Sequence, residues 1–508
     1  MRCNLFAVPS PRVFLAIALI PVMALVSISA RAATITVSNA GTDAPNCGAA
    51  ISPCKTINHA LAVASNSDTI DVVAGQYAET LVVSKSVMIT GPSSLQPSSP
   101  VVIVGVGTNR VFTINKGVTV SLSHLTIQNA KSTADGAAIA NLGTLMVSYS
   151  TIQNSSLGKF GHEKCQPCAG GGISNQGTMT LTNVLVSGNS ANGGGSGGTG
   201  IVVFSHPADV GGGIYNSGNL TVTDSTIKSN IAGSSGGGIF NAIGGTVIIG
   251  DSTISKNTGG GIANAGDLSV AKSTIAQNTS AQSSGGGITN AGHLSVLNST
   301  IGQNTGGGIT NVACDPQANT KTTATLTFTT VAYNDAGLTN LPVGVINTES
   351  RSRSKSRSET SCTQSMELVG SIVANSTVVN CATVPAAPNN SYVTSDDYNL
   401  DSGGTCGFHQ PHDLSNAIPR LSQQLAPNSP VPVPIPAPPV VPTDTYALLS
   451  GSPAIDAGGT RLKDCPGADQ RGVSRPPGKA CDCPATDQRG VSRPQGKACD
   501  IGSYELIQ

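Results

Sequence analysis

Residues 259–278 read GGGIANAGDLSVAKSTIAQN, and residues 285–304 read GGGITNAGHLSVLNSTIGQN. The two stretches share three phrases in the same order: Gly-Gly-Gly-Ile-x-Asn, an alternating Leu-Ser-Val segment, and Ser-Thr-Ile-x-x-Asn. A unit of this length cannot bury its own apolar side chains, so it becomes stable only when copies stack on one another. The repeat therefore predicts a solenoid with three short strands in each period.

Further copies of the first phrase extend the repeat along the chain. They cover residues 170–175, 211–216, 236–241, 259–264, 285–290 and 306–311, with a degenerate copy at 136–141. The later copies begin 25, 23, 26 and 21 residues apart. The fixed Ile, Leu and Val positions are expected to point inward and stack in columns, while the alternate Ser, Thr and charged residues face water. Crossovers between parallel strands are right-handed, so we expect an all-β, single-stranded right-handed parallel β-helix.

The glycines and asparagines of the repeat fit the corners of such a coil. Glycine permits left-handed or closely packed backbone, and asparagine tolerates the same conformation. Stacked asparagines can also form an amide ladder. A leucine-rich horseshoe is the competing fold, because Ile-x-x-Asn resembles its asparagine turn. The sequence lacks the accompanying leucine frame and any helical period.

The N-terminal part of the chain, which precedes the repeats, is expected to cap the solenoid. Residues 57–64 alternate apolar and polar side chains as a short amphipathic helix does, and the strand-like segment 69–73 follows. A terminal repeat must cover the open end of the stack. Cys47 is expected to pair with Cys54.

Composition limits the class of protein. The chain of 508 residues contains 60 Gly and no Trp, with 3% aromatic and 11% charged residues. These values argue against an ordinary aromatic-rich globular core. The formal net charge is zero, so no global field attracts nucleic acid or anionic lipid, and no nucleic-acid partner is predicted.

The first 32 residues predict a secretory signal peptide. Arg2 and Arg12 both precede an apolar run over residues 13–24, and Ala30-Arg31-Ala32 offers a cleavage site. An uncleaved membrane helix is the alternative. No second apolar span follows, so no transmembrane span is expected after cleavage. The protein is predicted to be exported, either to the extracellular space or to the cell surface, where association with an outer membrane is one option.

Export makes the cysteines candidates for disulfides. Of the 13 cysteines, Cys3 lies in the signal segment, which leaves an even number. The candidates are Cys47, Cys54, Cys165, Cys168, Cys381, Cys406, Cys465, Cys481, Cys483 and Cys499. The Cys165-x-x-Cys168 pair could also bind metal or exchange disulfides, but only His162 is nearby as a further ligand. A loop disulfide is therefore the preferred interpretation.

Motifs in the C-terminal part carry a family resemblance. They are Ser371-Ile-Val-Ala-Asn375, Asp397-Tyr-Asn-Leu-Asp401, Gly451-Ser-Pro-Ala-Ile-Asp-Ala-Gly458, Asp487-Gln-Arg-Gly-Val-Ser-Arg-Pro494 and Cys499-Asp-Ile-Gly-Ser-Tyr-Glu505. The chain resembles bacterial right-handed β-helix repeat proteins of the pectin-lyase-like fold that end in a choice-of-anchor Q domain. Its repeats are also similar to those of polymorphic outer-membrane proteins. The resemblance implies a surface protein with a small irregular C-terminal domain.

The C-terminal segment departs from that family pattern. Residues 465–482 are nearly repeated by 483–500, and each copy contains two cysteines. We therefore predict that Cys465 pairs with Cys481 and that Cys483 pairs with Cys499.

The predicted organisation is a signal peptide (1–32), a cap with the first coils (33–110), the repeats (111–420) with a basic Ser-rich loop (350–360), a Pro-rich linker (421–445) and the tail (446–508, duplicated over 465–500).

Two aspartates and a lysine are candidate catalytic residues. Asp224 and Asp251 precede matching Ser-Thr-Ile phrases, and Lys272 occupies the next equivalent position. Stacking would align them about 5 Å apart, near the carboxylate separation of retaining glycosidases. The alternative is a solvated turn column with a weak surface pair between Asp251 and Lys272. No cofactor is predicted, and Ca²⁺ would be expected only for a lyase.

Three functional hypotheses follow. The preferred one is a non-catalytic secreted or surface solenoid that presents an extended face for adhesion, matrix or glycan contact, with polysaccharide or other surface molecules as partners. The second is a polysaccharide lyase or glycoside hydrolase; the absence of arginine between Arg110 and Arg351 leaves the repeats without the usual carboxylate clamp. The third is a structural stalk.

The basic run 351–358 is expected to be a solvated loop that could touch anionic glycan or lipid. The oligomeric state stays open.

Overall fold

The computed structural model describes residues 32–93, 100–158, 168–192, 209–280, 285–312, 321–340, 364–383, 393–427, 443–458 and 484–507. These residues form 39 strands and one helix. The predicted signal peptide, the basic loop 350–360, Cys165 and most of the Pro-rich linker lie outside the described residues. Among the described residues, no helix has the length and hydropathy that a membrane-spanning segment requires.

The strands build three parallel sheets, which we call A, B and C. Sheet A contains two rows of strands. The first row is Thr34–Val37, Thr69–Val72, Met88–Thr90, Thr119–Ser123, Asn219–Thr223, Thr246–Gly250, Asp267–Ala271, His293–Leu297, Thr322–Thr327, Gln364–Val369 and Val393–Ser395. The second row is Gly75–Ala78, Val101–Val104, Leu125–Gln128, Thr226–Lys228, Thr253–Ser255, Thr274–Ala276, Thr300–Gly302, Thr330–Ala332, Ile372–Ala374, Leu400–Asp401 and Leu414–Ser415. The long strands Thr144–Gln153 and Thr178–Ser187 belong to both rows.

Sheets B and C close the coil. Sheet B is Leu81–Val83, Phe112–Ile114, Ile139–Asn141, Ile173–Asn175, Ile214–Asn216, Ile239–Asn241, Ile262–Asn264, Ile288–Asn290, Ile309–Asn311, Ala336–Asn340 and Val379–Thr383. Sheet C is Lys131–Ser132, Ser156–Leu157, Ser190–Ala191 and Ile231–Ala232. From Thr69 to Thr383, each turn of the chain, here called a coil, passes in order through the first row, the second row and sheet B, and four consecutive coils also supply a strand to sheet C. The predicted right-handed parallel β-helix is confirmed, and the horseshoe alternative is wrong.

The apolar positions of the repeat stack as the sequence predicts. In sheet B, the isoleucine of each Gly-Gly-Gly-Ile phrase lies over its equivalent in the next coil, as Ile214 does over Ile239 and Ile239 over Ile262. These isoleucines are at most 1% exposed. Burying one aliphatic side chain of this size stabilises the fold by about 1.5–3 kcal/mol, so the column is a main source of stability.

Two ladders of buried asparagines run beside the apolar columns. In the first, Nδ2 of each residue donates to Oδ1 of the next at 2.7–2.9 Å, through Asn141, Asn175, Asn216, Asn241, Asn264, Asn290 and Asn311. The second ladder is Asn189, Asn230, Asn257, Asn278, Asn304 and Asn334. All are at most 1% exposed. The predicted amide ladder is therefore present twice, and it satisfies polar groups inside a narrow core.

The glycine phrase allows a close approach of neighbouring coils. Gly211 has φ +64°, and a Cβ there would lie 2.6 Å from the carbonyl oxygen of Ile214. Both the left-handed backbone and the crowding exclude a side chain. The phrase is therefore a steric requirement of the turn into sheet B.

The N-terminal cap also agrees with the prediction. Helix α1 spans Ile57–Val63, and its N-terminus is capped by the side chain of Thr56. Glu79 accepts hydrogen bonds from the backbone N–H groups of Ile57 and Asn58 at 2.9 and 2.8 Å. Ile57, Ala60 and Leu61 pack on the end of the apolar core. The helix thus covers the open end of the stack.

The disulfides secure both ends of the solenoid. The predicted Cys47–Cys54 bond is confirmed, and Cys381 pairs with Cys406. Cys168 and Cys499 are also disulfide-bonded. The partners that the sequence suggests for them, Cys165 and Cys483, lie outside the described residues, as do Cys465 and Cys481.

The tail packs on the side of the β-helix. Residues 443–458 and 484–507 have little regular structure and lie against the second row of sheet A. Gln488 and Ser503 hydrogen-bond the hydroxyl of Thr300 at 2.7 and 2.8 Å, and Tyr446 and Ile501 are fully buried in a shared apolar cluster. The tail therefore covers part of one flank of the solenoid.

Candidate functional site

A continuous column of side chains marks the corner between the two rows of sheet A. The residue at this corner has left-handed backbone, with φ between 44° and 57°, in eight successive coils. These residues are His124, Tyr149, Asn183, Asp224, Asp251, Lys272, Asn298 and Phe328, and we call them the corner column. The register on either side, for example Thr223↔Gly250 and Thr226↔Thr253, stacks them in consecutive coils. The predicted candidates Asp224, Asp251 and Lys272 thus lie side by side.

The corner conformation has an energetic cost for several of these residues. Asparagine and aspartate tolerate left-handed backbone, whereas His124, Tyr149 and Lys272 hold it at a cost of about 1–2 kcal/mol each. The flanking parallel strands fix the corner and compensate for that cost. Left-handed backbone also recurs at a second corner, for example at Ser229, Lys256 and Gln303, so it is a feature of the coil geometry.

The carboxylates of the column are open to solvent and electrostatically linked. Asp224 and Asp251 are exposed, and Lys272 is half-buried. The pKa of Asp251 is raised, chiefly because surrounding protein atoms displace water; Lys272 opposes this effect and Asp224 adds to it. Among the described residues, the ion pairs within 4.0 Å lie elsewhere, so Asp251 and Lys272 attract each other without a direct contact.

Replacement of Asp251 by asparagine tests this electrostatic link. Because the pKa is raised on folding, ionisation is easier in the unfolded chain, and stability is lost as pH rises from about 3.9 through the folded-state pKa. We expect Asp251→Asn to raise the melting temperature at neutral pH by no more than a few degrees. The better fit of asparagine to left-handed backbone contributes equally at all pH values. A gain in melting temperature that is no larger at neutral pH than near pH 3 would contradict the expectation.

An aromatic platform forms the N-terminal end of the corner column. The rings of His124 and Tyr149 stack with centroids 5.3 Å apart and planes 9° from parallel, and Tyr149 is 43% exposed. Burial lowers the pKa of His124, and its Nδ1 is buried without a hydrogen-bond partner among the described residues. The imidazole is therefore neutral at neutral pH, and the platform is an uncharged stacking surface.

The sequence contains a signal for this platform in the repeated phrases that follow each corner. Tyr149 precedes a Ser-Thr-Ile phrase as Asp224 and Asp251 do, and His124 precedes the related Leu-Thr-Ile. Acidic residues mark the column only from Asp224 onward, three coils after it begins.

The outward face of the first row of sheet A borders the corner column. Most of its side chains are Ser or Thr, and we call the part of this face between Thr119 and Thr327 the hydroxyl face. An open groove of about 390 Å³ lies on it, lined by Thr246, Ile248, Asp267, Ser269, His293, Ser295, Thr323, Thr325 and their neighbours. Nδ1 of His293 lies 2.8 Å from Oγ1 of Thr323. The groove therefore presents groups that both donate and accept hydrogen bonds.

The tail closes the far end of the corner column. Nδ2 of Asn298 donates to the carbonyl oxygen of Thr486 at 2.8 Å, and Phe328 is fully buried, with the guanidinium of Arg493 5.0 Å from its ring centroid. The remaining six residues, His124 to Lys272, stay outside these contacts, and we call them the open half. Within the Asp-Gln-Arg-Gly motif at 487–490, Gln488 docks the tail through hydrogen bonds with Thr300 and Thr274.

A buried ionic network holds the tail in shape. Asp487 pairs with Arg489 at 2.6 Å, and Arg493 donates to the carbonyl oxygens of Asp500 and Gly502 at 2.8 and 2.7 Å. Glu505 accepts hydrogen bonds from two backbone N–H groups and lies 3.7 Å from Nε of Arg493. Burial raises the pKa of Glu505 and lowers that of Arg493, while their mutual attraction opposes both shifts. These charges have internal partners and support the tail fold.

Within the described part of the chain, no group of three or more His, Cys, Asp or Glu side chains is placed to hold one metal ion. The calcium expectation, which applied only to a lyase, stays a prediction.

The register, the stacked core and the three sheets define the class: this is a right-handed parallel β-helix protein.

No protein-family model matches the sequence, and no curated protein matches it. Among solved structures, pectate lyase Pel9A is 13% identical, with 94% of this chain and 97% of that chain covered and a TM-score of 0.37. The A-module of mannuronan C-5 epimerase AlgE4 from Azotobacter vinelandii is 10% identical (64% and 91% covered, TM-score 0.36). Pectin methylesterase PemA from Erwinia chrysanthemi is 12% identical (62% and 82% covered, TM-score 0.30).

Proposed function

We propose that the protein binds an extended polysaccharide along the open half of the corner column and the adjacent hydroxyl face, without cleaving it. The observation that carries this proposal is the exposed stack of Tyr149 on His124, in line with Asn183, Asp224 and Asp251. Stacking surfaces and hydrogen-bonding groups are both needed to hold a sugar chain. This site offers the two together.

The chemistry of a sugar chain suits such a strip. A sugar ring has an apolar C–H face that packs on an aromatic ring, and hydroxyl groups that exchange hydrogen bonds with Ser, Thr, Asn and carboxylate side chains. Stacked coils repeat these groups at about 4.8 Å. A polymer lying along the solenoid axis therefore meets many weak contacts at once, which is how repeat proteins form extended binding surfaces.

The carboxylates favour binding over catalysis. Acid–base cleavage usually depends on two carboxyl groups whose pKa values are pushed apart in a site from which water is excluded. Asp224 and Asp251 both lie on an exposed surface. As hydrogen-bond acceptors for sugar hydroxyls they need no such enclosure.

Retention on insoluble polysaccharides tests the proposal. Tyr149→Asn removes the ring but keeps a residue that tolerates left-handed backbone. We expect at least fivefold weaker retention, equivalent to about 1 kcal/mol, and little loss for Tyr149→Phe.

Tyr398→Asn is the matched control. Tyr398 also has left-handed backbone, with φ 58°, and its ring stacks on His412 with centroids 4.6 Å apart. It lies outside the open half, so the variant should keep wild-type retention. Equal retention by Tyr149→Asn and the wild type, with both folded, would refute the proposed site.

A carbohydrate-active enzyme is the second candidate, and the raised pKa of Asp251 beside Asp224 favours it. A carboxyl group that holds its proton more tightly can serve as a general acid next to an ionised partner. Product analysis after incubation with polysaccharides distinguishes the two functions. Cleavage that is abolished by both Asp224→Ala and Asp251→Ala would establish the enzyme.

We further propose that the protein is exported and acts outside the cell, free or at the surface. The Cys47–Cys54 and Cys381–Cys406 disulfides suit an oxidising environment. The tail motifs resemble a choice-of-anchor Q domain, which supports surface display. Cell fractionation tests this placement, and recovery of the protein in the cytosol would oppose it.

A further inference from the structure

The charges along the open half restrict the polysaccharide that it can hold. We infer that the ligand is a neutral polysaccharide, and that polyuronates and other anionic glycans are excluded. This inference rests on the proposed function and adds the charge class of the ligand.

Among the described residues of the corner column and the hydroxyl face, the charged groups are mainly acidic. Asp224 and Asp251 are exposed on adjacent coils, whereas Lys272, the one cation of the corner column, is half-buried at the end next to the tail. On the hydroxyl face, Asp267 is exposed in the coil that contains Lys272, and His293 lies beside it in the next coil. A polymer with one carboxylate per sugar would therefore place like charges close together over several coils.

A neutral chain meets favourable groups at the same positions. Sugar hydroxyls can donate charge-assisted hydrogen bonds to the carboxylates of Asp224 and Asp251. The amide of Asn183 and the hydroxyls of Ser269 and Ser295 both donate and accept. The stack of His124 and Tyr149 offers a ring surface without charge, because burial keeps the imidazole neutral.

The groove supports the same ligand class. It is open, about 390 Å³ in volume, and runs over the strands that contain Thr246, Asp267, His293 and Thr323. Its hydroxyl, imidazole and aliphatic surfaces suit a chain that presents alternating hydroxyls and C–H groups. Among the described residues that line it, Asp267 is the one acidic residue, and Lys and Arg are absent.

A charge-graded panel of polysaccharides tests the inference with the full mature chain. The probes are an insoluble neutral glucan, a neutral galactomannan and polygalacturonate. We expect retention on at least one neutral polymer and at least tenfold weaker binding to polygalacturonate. Added salt screens charges, so retention on the neutral polymer should stay constant in 0.5 M NaCl.

Charge reversal at one corner provides the sharper test. Asp251→Lys introduces a lysine at a corner with left-handed backbone. Lysine is compatible with this backbone, because Lys272 adopts it at the equivalent position of the next coil. This variant should bind polygalacturonate at least fivefold more tightly than the wild type. Asp71→Lys makes the same charge change on a strand two coils before the open half and should leave binding unchanged.

The outcomes separate the inference from the proposed function. Equal or tighter binding to polygalacturonate than to neutral polymers, lost in Tyr149→Asn, would overturn the inference and leave polysaccharide binding intact. Retention on none of the three polymers would overturn both. Retention on neutral polymers that Tyr149→Asn does not change would refute the site itself.

Discussion

Replacing Asn257 with aspartate is expected to destabilise the middle of the β-helix by about 3–5 kcal/mol at neutral pH, because it leaves an uncompensated charge in the core. Asn257 is fully buried in the second amide ladder. Its Nδ2 donates to the carbonyl oxygen of Ile227 at 3.1 Å and to Oδ1 of Asn278 at 2.9 Å. Its Oδ1 accepts from the backbone N–H and Nδ2 of Asn230 at 2.9 and 3.1 Å.

The aspartate has the same shape but only acceptors at these positions. One carboxylate oxygen would still accept the two hydrogen bonds from Asn230. The other would face the oxygens of Ile227 and Asn278, which are also acceptors. Ionisation would therefore be disfavoured in the folded state, and the pKa of the new carboxyl group would lie above its unfolded value of about 3.9. The loss of stability should grow as pH rises from that value and should shrink again in acid, where a protonated carboxyl can donate one bond.

Denaturant unfolding of the Asn257→Asp protein at neutral and acidic pH measures this effect. Asn129→Asp is the matched control, because Asn129 is exposed and has left-handed backbone. Its change in unfolding free energy should stay within about 0.5 kcal/mol. If the two variants were equally stable at neutral pH, the amide ladder would not be a structural requirement of the fold.

Replacing Arg493 with methionine is expected to detach the tail from the β-helix and to destabilise the docked state by about 3–5 kcal/mol. The side chain is buried, and its guanidinium joins the carbonyl oxygens of Asp500 and Gly502 to the carboxylate of Glu505. Methionine fills part of the volume but leaves Glu505 charged and without its cationic partner. The contact with the ring of Phe328 is lost as well.

Hydrogen exchange and limited proteolysis report tail detachment. Faster exchange and cleavage should be confined to the tail and to the flank that it covers, including Thr300 and Thr330, whose hydroxyls bond Ser503. The double variant Arg493→Met/Glu505→Gln should recover part of the loss, because it removes both members of the buried pair. Arg420→Met changes an exposed arginine and should have little effect. Unchanged tail protection in Arg493→Met would show that the ionic network is dispensable for docking.

Much of the fold could be predicted because the repeat encodes it locally. Ile239 and Ile262 stack because each follows the same glycine turn and alternates with an outward residue. Helix α1 and the Cys47–Cys54 bond are likewise determined within a short segment. In these cases the relevant interactions are either local or repeated at one fixed interval, so a periodic pattern is enough to identify them.

The candidate site was predictable only in part. The equivalence of Asp224, Asp251 and Lys272 follows from the repeat, and the structure places them on adjacent coils. Their catalytic role stays a prediction. The stack of Tyr149 on His124 could not be predicted from the glycine phrase, because the two rings lie 25 residues apart in a part of the chain where that phrase is degenerate.

By itself, the sequence determined the coil: inward aliphatic columns, glycine corners and buried asparagines recur at intervals that permit one parallel stacking. Tertiary structure alone decided which corner residues remain open, since the tail covers the others through contacts such as that between Asn298 and Thr486, which are 188 residues apart. No local period encodes such contacts, because they depend on complementary surfaces that meet only after the coils have formed.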